Sequence, residues 1–507
     1  MMLRDKESKA SKGGAFSYGQ IGELSAQERD LLELLLKEEG IDLSQMVISR
    51  ETQGKDSVPL SFAQERLWIL QQIEPDNPVY NKGSAIRLTG AFDLMALIRT
   101  LSAVIERQEI LRTVFPSADG RPFQRVQPVG SLSLRIVDLS SLAEAVRGSE
   151  LLRLGIDETR KPFALESGPL LRLTLLRMTE SEHVLVFCTH HILVDGWAGS
   201  ILTHEFAVFY RAFSKGLFSS LPDLTVQYGD FAVWERKTLD GATLEDLLAY
   251  WSERLAGSVP VLSLPTDRPR PAVQTSNGAK LPLEVNERLT AALNGAARRE
   301  NVTVFMVLLA AFKALLFRYT GESDIIIGTS VTNRDRPEFE GLMGLFANTL
   351  VLRTNVDRNS RVSELLSRVR DVTLGALAHK RLPFEKLVER LNPSRSLSTS
   401  PVFQVWFDLL KSPPGDIELP DLSFTAFGIE TNASQYELML ELAHAAAGLK
   451  GCLDWNTDLF DRQTIERMAD HYLMLLEDLC ANPGKRIFEL EMFSAAERER
   501  ILAESEG

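Results

Sequence analysis

The stretch from His190 to Gly196, which reads His-His-Ile-Leu-Val-Asp-Gly, combines residue types that can move a proton. Histidine is the side chain best suited to accept or donate a proton near neutral pH, because its pKa lies close to that range. Asp195 could orient an imidazole ring or lock the turn through an arginine. Gly196 suits a sharp corner between a strand and a helix, where a Cβ atom would clash. Proton-transfer chemistry is therefore one interpretation of this stretch, and a pair of ordinary core histidines is the other.

The element that must position the two histidines is the apolar run from Val184 to Cys188, which is predicted to be a buried strand. Side chains alternate across a strand, so His190 and His191 are expected on opposite faces if the strand runs to His191. In that geometry the pair cannot chelate one metal ion, and no Cys or Glu at ligand spacing supports a metal site. We expect one histidine to serve structure and the other to serve chemistry.

A protein nucleophile is missing beside this stretch. The sequence contains no Gly-x-Ser-x-Gly elbow, no phosphate-binding loop and no dinucleotide fingerprint. Cys188 is expected to point away from His191 and to belong to the core. A histidine without a protein nucleophile favours direct acyl transfer, in which an incoming nucleophile attacks a bound acyl donor and the histidine assists.

Composition narrows the class of protein. The chain has 507 residues, of which 44% are hydrophobic and 25% charged, as is typical of soluble globular proteins with two or three domains. A net charge of -13 argues against nucleic acid as a partner, since phosphate binding needs a basic surface. Three cysteines, far apart in the chain, predict no disulfide framework and a reducing, cytoplasmic compartment. No apolar stretch is long enough to predict a membrane span, and the first residues lack the apolar core of a secretion signal.

Residues 1–56 are predicted to hold a disordered segment followed by a short helix, which begins at the capping pattern Ser25–Glu28 and links domains or docks a partner. The other interpretation is a terminal helix packed on the domain. From Pro59 onward, helical and strand-like patterns alternate, which predicts an α/β fold. The order of elements is broadly alike in the two halves and indicates a duplicated fold. The predicted helices are Asp93–Ile110, Gly196–Phe213, Val302–Tyr319 and Val362–His379, and the predicted strands are Leu170–Met178, Val184–Cys188 and Asp324–Thr329.

The stretch from His190 to Gly196 also matches the HHxxxDG signature of the condensation domains of nonribosomal peptide synthetases, relatives of chloramphenicol acetyltransferase. The chain resembles this family in further segments, which follow the family's order and extend with the signature over roughly residues 57–490. Chance agreement at that level is negligible. The further segments are Ser61–Trp68, Arg107–Phe115, Tyr228–Trp234, Gly344–Leu350, and His379 with Pro383–Glu385.

The resemblance implies a V-shaped pseudo-dimer of two chloramphenicol acetyltransferase-like lobes, residues 57–232 and 233–507, with a tunnel between them. His191 would face the tunnel and would position or deprotonate the acceptor α-amine, or stabilise the tetrahedral intermediate. His190 would be structural.

The resemblance also gives the remaining motif residues roles in holding the site. Asp195 would keep the motif's shape through a salt bridge and would transfer no proton. Arg107 is the preferred partner for that salt bridge, and Arg112 is the second choice. Gly196 would keep the tunnel clear beside the histidine.

The activity implied is amide formation between two carrier-bound substrates. An acyl or aminoacyl thioester on an upstream carrier protein would be the donor, and the α-amine of an aminoacyl thioester on a downstream carrier protein would be the acceptor. The carriers would supply the phosphopantetheine arms, so this chain is expected to bind no cofactor and no metal of its own. Adenylation or polyketide synthase domains would be its neighbours, and the isolated domain is expected to be a monomer.

A heterocyclising relative would carry Asp at the position of His190, and this chain does not. The flanking motifs resemble those of domains that take L-configured donors. The leucine-rich helix that precedes them resembles the lead-in common before such domains, including those of mixed polyketide–peptide lines. Two alternatives stay open on sequence alone. One is ester formation with a hydroxyl acceptor, and the other is a catalytically silent module that docks carriers.

Overall fold

The computed structural model describes residues 48–218, 221–257, 259–392, 398–410, 417–419, 422–429 and 432–505. The disordered segment and the docking helix predicted before residue 48 lie outside the described residues.

Helices and strands alternate along the described chain, as the sequence predicts. The helices are α1 (Phe62–Ile73), α2 (Leu94–Arg107), α3 (Glu144–Arg160), α4 (Ala198–Phe213), α5 (Tyr228–Thr238), α6 (Gly241–Arg254), α7 (Glu287–Arg299), α8 (Val304–Thr320), α9 (Pro337–Glu340), α10 (Val362–Ala378), α11 (Phe384–Leu391), α12 (Arg462–Ala481) and α13 (Ala495–Ser505). The strands are β1 (Val58–Pro59), β2 (Asn81–Gly90), β3 (Thr113–Val114), β4 (Ser117–Ala118), β5 (Arg121–Val126), β6 (Leu134–Asp138), β7 (Leu171–Arg177), β8 (Glu182–His190), β9 (Gly278–Val285), β10 (Asp324–Thr332), β11 (Ala347–Asn355), β12 (Val405–Leu410), β13 (Ile417–Leu419), β14 (Leu422–Gly428), β15 (Leu438–Ala445) and β16 (Gly448–Asn456).

Of the helices and strands predicted from hydrophobic spacing, each is present, with ends shifted by a few residues. Helix α2, for example, stops at Arg107 and not at Ile110, and it gives way to a 3-10 turn from Glu109 to Arg112. Apolar periodicity locates the buried face of an element well, whereas its ends depend on capping contacts.

The first sheet carries the histidines at the end of β8. Its strand order in the described residues is β13-β14-β2-β8-β7-β6, and β2 and β8 are antiparallel with Asn81 opposite His190. One face of β8 packs against α2 and α4 through side chains such as Leu185 and Phe187. The other face packs against α3 through Val184 and Val186. Both faces are covered, which explains why the strand reads as a continuous apolar run.

The second sheet lies in the second half of the chain, with strand order β11-β10-β12-β15-β16-β9 in the described residues. One of its faces packs against α7, α8, α10 and α12 and forms the largest hydrophobic core. Leu440, Leu442 and Leu453 contribute to this core and are buried. Side chains alternate along a strand, so the intervening residues lie on the opposite face.

One segment from the second half of the chain joins the first sheet. The segment β13–β14 comes from the second half, yet β14 pairs along β2 of the first sheet, from Leu422 opposite Gly90 to Gly428 opposite Ser84. The boundary predicted after residue 232 falls inside helix α5, which is continuous through it. The division at residues 57–232 and 233–507 is therefore corrected, because it follows sequence order while the sheets do not.

In the part of the chain that the structure describes, we find no single helix with the length and hydropathy needed to cross a membrane. One bent pair, Glu287–Arg299 with Val304–Thr320, meets those criteria on length and composition alone.

A lysine, Lys313 of α8, is completely buried beneath the second sheet. Its Nζ donates hydrogen bonds to Leu352 O at 2.6 Å and to Thr354 Oγ1 at 2.9 Å. Burial lowers the pKa of Lys313 to about 7, because the charged form loses its hydration. An unfolded chain returns this lysine to its ordinary, higher pKa, so unfolding takes up a proton above pH 7.

We therefore expect the wild-type protein to gain stability as the pH rises from 7.5 to 8.5, by about 1 kcal/mol relative to the Lys313→Met variant. The sign follows from the unfolded state binding more protons than the folded state over this range. Urea unfolding at both pH values measures the difference, and Lys450→Met, at an exposed lysine, is the control. Parallel pH dependence in wild type and Lys313→Met would contradict the burial argument.

Candidate active site

His190 is the last residue of strand β8, and both nitrogens of its ring have partners. Its Nδ1 accepts a hydrogen bond from Ile192 N at 3.1 Å, and its Nε2 lies 3.3 Å from Gln71 Oε1. The ring also contacts Tyr80 and Phe163, with ring centres 6.3 Å away in each case. Burial lowers the pKa of His190 to about 3. This neutral, enclosed ring with both nitrogens engaged is suited to a structural role.

His191 is placed by a turn and not by the strand. Strand β8 ends at His190, and His191 opens a 3-10 turn that extends to Leu193. The strand therefore does not run to His191, and the argument from strand alternation, which was conditional on that extension, does not set the direction of its ring. His191 Nδ1 lies 2.6 Å from Val194 O, and the residue keeps part of its surface exposed.

The hydrogen bond at Nδ1 fixes the state of the His191 ring. A carbonyl oxygen can only accept, so Nδ1 must carry the hydrogen atom and donate it to Val194 O. Burial, followed by the charge of Lys82, lowers the pKa of His191 to about 3, so the ring is neutral near pH 7. In a neutral ring with hydrogen on Nδ1, Nε2 is left with a lone pair. That nitrogen can accept a proton or a hydrogen bond from a substrate.

Asp195 connects the turn to the second half of the chain. Its carboxylate accepts hydrogen bonds from Trp197 N and Ala198 N at 3.1 Å, at the start of α4, and from Phe346 N at 3.2 Å. Arg334 forms a salt bridge with it at 3.2 Å, and the two side chains are 3% and 4% exposed. Burial raises the pKa of Asp195, while the Arg334 guanidinium and the backbone N–H groups oppose that rise.

The salt-bridge partners predicted for Asp195 are wrong. Arg107 Nε donates to Glu205 Oε1 at 2.8 Å, and Arg112 lies 3.7 Å from Glu109. Both arginines sit on or just after α2, where closer acids take them up. Arg334, which follows β10, was missed because its pairing spans 139 positions and no local spacing signals it.

Gly196 is exposed, and a Cβ atom built on it would meet no other atom within 4 Å. The expectation of a steric clash at the corner is therefore wrong. The free space beside Gly196 is consistent with the other expectation, that the residue keeps room next to the histidine.

Cys188 is not positioned to act as a nucleophile toward a substrate beside His191. Its Sγ lies 3.3 Å from Glu158 O, on the side of the sheet covered by α3, and the side chain is completely buried. Burial raises the pKa of the Cys188 thiol to about 11, so the reactive thiolate is scarce near neutral pH.

Two other motif residues organise backbone around the site. Gln108 bridges the halves, because its Nε2 donates to Glu205 and to Gly341 O while its Oε1 accepts from Met343 N at 2.9 Å. Asn348 donates to Lys380 O at 2.7 Å and to Leu382 O at 2.6 Å.

Some polar side chains of this region are accessible to solvent although protein surrounds them. Tyr80 and Tyr436 are each partly exposed, and burial raises the pKa of both phenols. Lys82 has an exposed side chain, and burial lowers its pKa.

Comparison with known proteins identifies relatives over most of the chain. A family model described as "Condensation domain" matches residues 54–502. A linear gramicidin synthase protein of Brevibacillus parabrevis is 44% identical over 447 residues, which are 88% of this chain and 6% of that protein. The chain therefore spans only a small part of the length of such relatives.

Solved structures share the fold. The X-domain from teicoplanin biosynthesis superposes with a TM-score of 0.80 at 28% identity, covering 88% of this chain and 100% of that one. The first condensation domain of the calcium-dependent antibiotic synthetase superposes with a TM-score of 0.73 at 21% identity, covering 87% of this chain and 100% of that one. The prediction of a chloramphenicol acetyltransferase-like pseudo-dimer is confirmed by this agreement.

Proposed function

The chain belongs to the condensation domain family of nonribosomal peptide synthetases, whose members are acyltransferases, and we propose that it forms an amide bond between two carrier-bound substrates. The donor is an acyl or aminoacyl thioester on an upstream carrier protein. The acceptor is the α-amine of an aminoacyl thioester on a downstream carrier protein. Both phosphopantetheine arms belong to the carriers.

The observation that carries this proposal is the fixed ring of His191. With Nδ1 donating to Val194 O, Nε2 is available to accept from an α-amine as that amine attacks the donor thioester. The attack forms the amide C–N bond and breaks the C–S bond, and the proton lost by the amine ends on the departing thiolate. His191 either relays this proton or holds the amine in line.

The burial of Cys188, the cysteine nearest to this ring in the sequence, supports direct transfer. Cys188 is buried behind the sheet with a raised pKa, so an acyl group has no thiolate to be handed to. The acceptor must then attack the donor thioester itself, and both substrates must be present together.

We expect the chain to make amide and not ester under matched conditions. The assay combines the full chain with a donor-loaded and an acceptor-loaded carrier protein, and mass spectrometry detects the product that remains on the acceptor carrier. A second acceptor carries the hydroxy acid of the same side chain. An amide with the amino acceptor and little ester with the hydroxy acceptor is the expected result, because an amine is the stronger nucleophile.

If the ester forms faster than the amide, the acceptor in this proposal must be a hydroxyl group and not an α-amine. Binding of both loaded carriers without product, across several acyl donors, would overturn the catalytic role and leave a docking module.

A further inference from the structure

Two glutamines of helix α1 contact the segment that carries His191, and the proposed chemistry does not use them. Gln64 and Gln71 lie seven residues apart, which is about two turns of an α-helix, so both side chains project from the same face of α1. Gln64 is completely buried, and Gln71 is 6% exposed. Polar side chains in such positions need hydrogen-bond partners, and both glutamines find them between His190 and Ile192.

The side-chain amide of Gln64 has one possible orientation. Its Oε1 accepts a hydrogen bond from Ser61 N at 3.1 Å. Its NH₂ group donates to Ile192 O at 3.3 Å and to Gln124 Oε1 at 3.5 Å. A flipped amide would set the NH₂ group against the Ser61 N–H and an oxygen atom against the Ile192 carbonyl, so the donor at Ile192 O is fixed.

Gln71 supports the same segment through the ring of His190. Ile192 N donates to His190 Nδ1 at 3.1 Å, so that nitrogen holds a lone pair and the hydrogen atom of the neutral ring is on Nε2. His190 Nε2 therefore donates to Gln71 Oε1 at 3.3 Å, and the Gln71 NH₂ group donates to Pro75 O. The adjacent histidines thus have opposite tautomers, with hydrogen on Nε2 in His190 and on Nδ1 in His191.

Ile192 is held at both of its backbone polar groups, at its N–H by His190 and at its C=O by Gln64. It is the central residue of the 3-10 turn that His191 opens. Val194 O, the carbonyl that fixes the His191 ring, follows this turn. A rotation of the peptide units at Ile192 would therefore move that carbonyl relative to the ring.

The start of helix α1 gives Gln64 a fixed base. Ser61 Oγ accepts from Gln64 N at 3.1 Å and lies 2.9 Å from Tyr228 OH of α5, which donates to Leu345 O at 2.7 Å. Ser61, Gln64 and Tyr228 are all buried. Buried supporting hydrogen bonds of this kind allow a side chain to hold its neighbour at a precise distance.

We propose that Gln64 and Gln71 are positioning residues for amide formation, which act through Ile192 to keep His191 with hydrogen on Nδ1 and with Nε2 available to the acceptor. This inference rests on the proposed function. Neither glutamine exchanges a proton in this role. Without the Gln64 donor, the buried Ile192 carbonyl would lose its partner and the turn would shift, and a misplacement of about 1 Å can cost about 10²-fold in rate.

The first test replaces each glutamine by methionine, an apolar side chain of similar length. In the assay with two loaded carriers, Gln64→Met and Gln71→Met should each lower kcat by about 10- to 100-fold and leave KM for both carriers within about twofold of the wild-type values. Gln72→Met is the matched control, at an exposed glutamine of the same helix, and should retain the wild-type rate. Wild-type kcat in both variants would overturn the inference. Thermal unfolding verifies the fold, and Gln71→Met carries the test if Gln64→Met does not fold.

The second test separates positioning of His191 from a general loss of structure. His191→Ala/Gln64→Met and His191→Ala/Gln71→Met should be as fast as His191→Ala, because a residue that acts through His191 has no effect once the ring is gone. A further loss of about tenfold in the double variants would overturn the inference and leave the proposed function standing. No amide product from the wild-type protein would instead overturn the proposed function.

Nitrogen NMR of the seven histidines, labelled with ¹⁵N, reads the ring states without turnover. The His191 signals are those lost in His191→Ala. In the wild-type protein we expect hydrogen on Nδ1 of His191 and on Nε2 of His190, and in Gln64→Met we expect His191 to exchange between both tautomers. Unchanged His191 signals in Gln64→Met and Gln71→Met would overturn the inference even if the rate falls.

Discussion

Replacing His191 with alanine is expected to lower the rate of amide formation by about 10²- to 10⁴-fold, the range that a positioned acid–base side chain contributes. The variant loses the Nε2 atom that the Val194 hydrogen bond keeps available to the substrate. It should keep its fold, because His191 is partly exposed and its ring makes no buried ion pair. The assay with two loaded carriers measures the rate, and thermal unfolding checks the fold.

The control for this variant is His204→Ala, which removes an exposed histidine from α4, the helix that follows the same motif. His204→Ala should retain the wild-type rate. Product formation by His191→Ala at the wild-type rate, with an unchanged melting temperature, would refute a catalytic role for His191. A loss of rate accompanied by loss of fold would refute the separation of roles between His191 and the structural residues around it.

Replacing Arg334 with alanine is expected to destabilise the folded protein by about 3–5 kcal/mol, the cost of leaving a buried charge without its partner. Asp195 would keep its carboxylate among protein atoms with only backbone N–H donors to stabilise it. Arg334 also donates to Phe339 O and Leu342 O, and its guanidinium lies 3.9 Å from the centre of the Phe346 ring. The residue therefore anchors both the motif and the segment that follows α9.

Denaturant unfolding of Arg334→Ala, Asp195→Ala and the double variant measures this coupling. The double variant should be less destabilised than the sum of the single variants, because removing both charges leaves neither unpaired. Arg288→Ala is the control, since it breaks an exposed salt bridge with Glu477 and should change stability by no more than about 1 kcal/mol. Additive effects of the Arg334 and Asp195 substitutions would contradict a direct buried pair.

The sequence was informative where a pattern is local. The spacing of apolar residues predicted β8 and α4. The expectation that Cys188 belongs to the core is confirmed, since its thiol is buried and its pKa is raised. Strand β8 ends at His190, beyond the predicted end at Cys188 but short of His191, and this changes the argument about His191. Strand alternation alone cannot predict a ring orientation that depends on a turn and on the carbonyl of Val194.

Long-range pairings could not be predicted from one sequence. The sequence suggested Arg107 or Arg112, both in a recognised motif, as the salt-bridge partner of Asp195. Its partner is instead Arg334, because Arg107 pairs with Glu205 and Arg112 lies near Glu109. The position of Lys82 near His191 could not be predicted either, since it depends on the register of β2 with β8. The shape of a site formed by two lobes emerges only when the sheets are assembled.

The pairing of β14 with β2 makes the two lobes one unit for protein engineering. A fragment that ended near residue 232 would lack β14, and β2 would then present a row of free N–H and C=O groups from Ser84 to Gly90. Such an open edge recruits strands from other molecules and promotes aggregation. Recombination between synthetases should therefore keep residues 58–456 together, so that all strands of both sheets come from one parent.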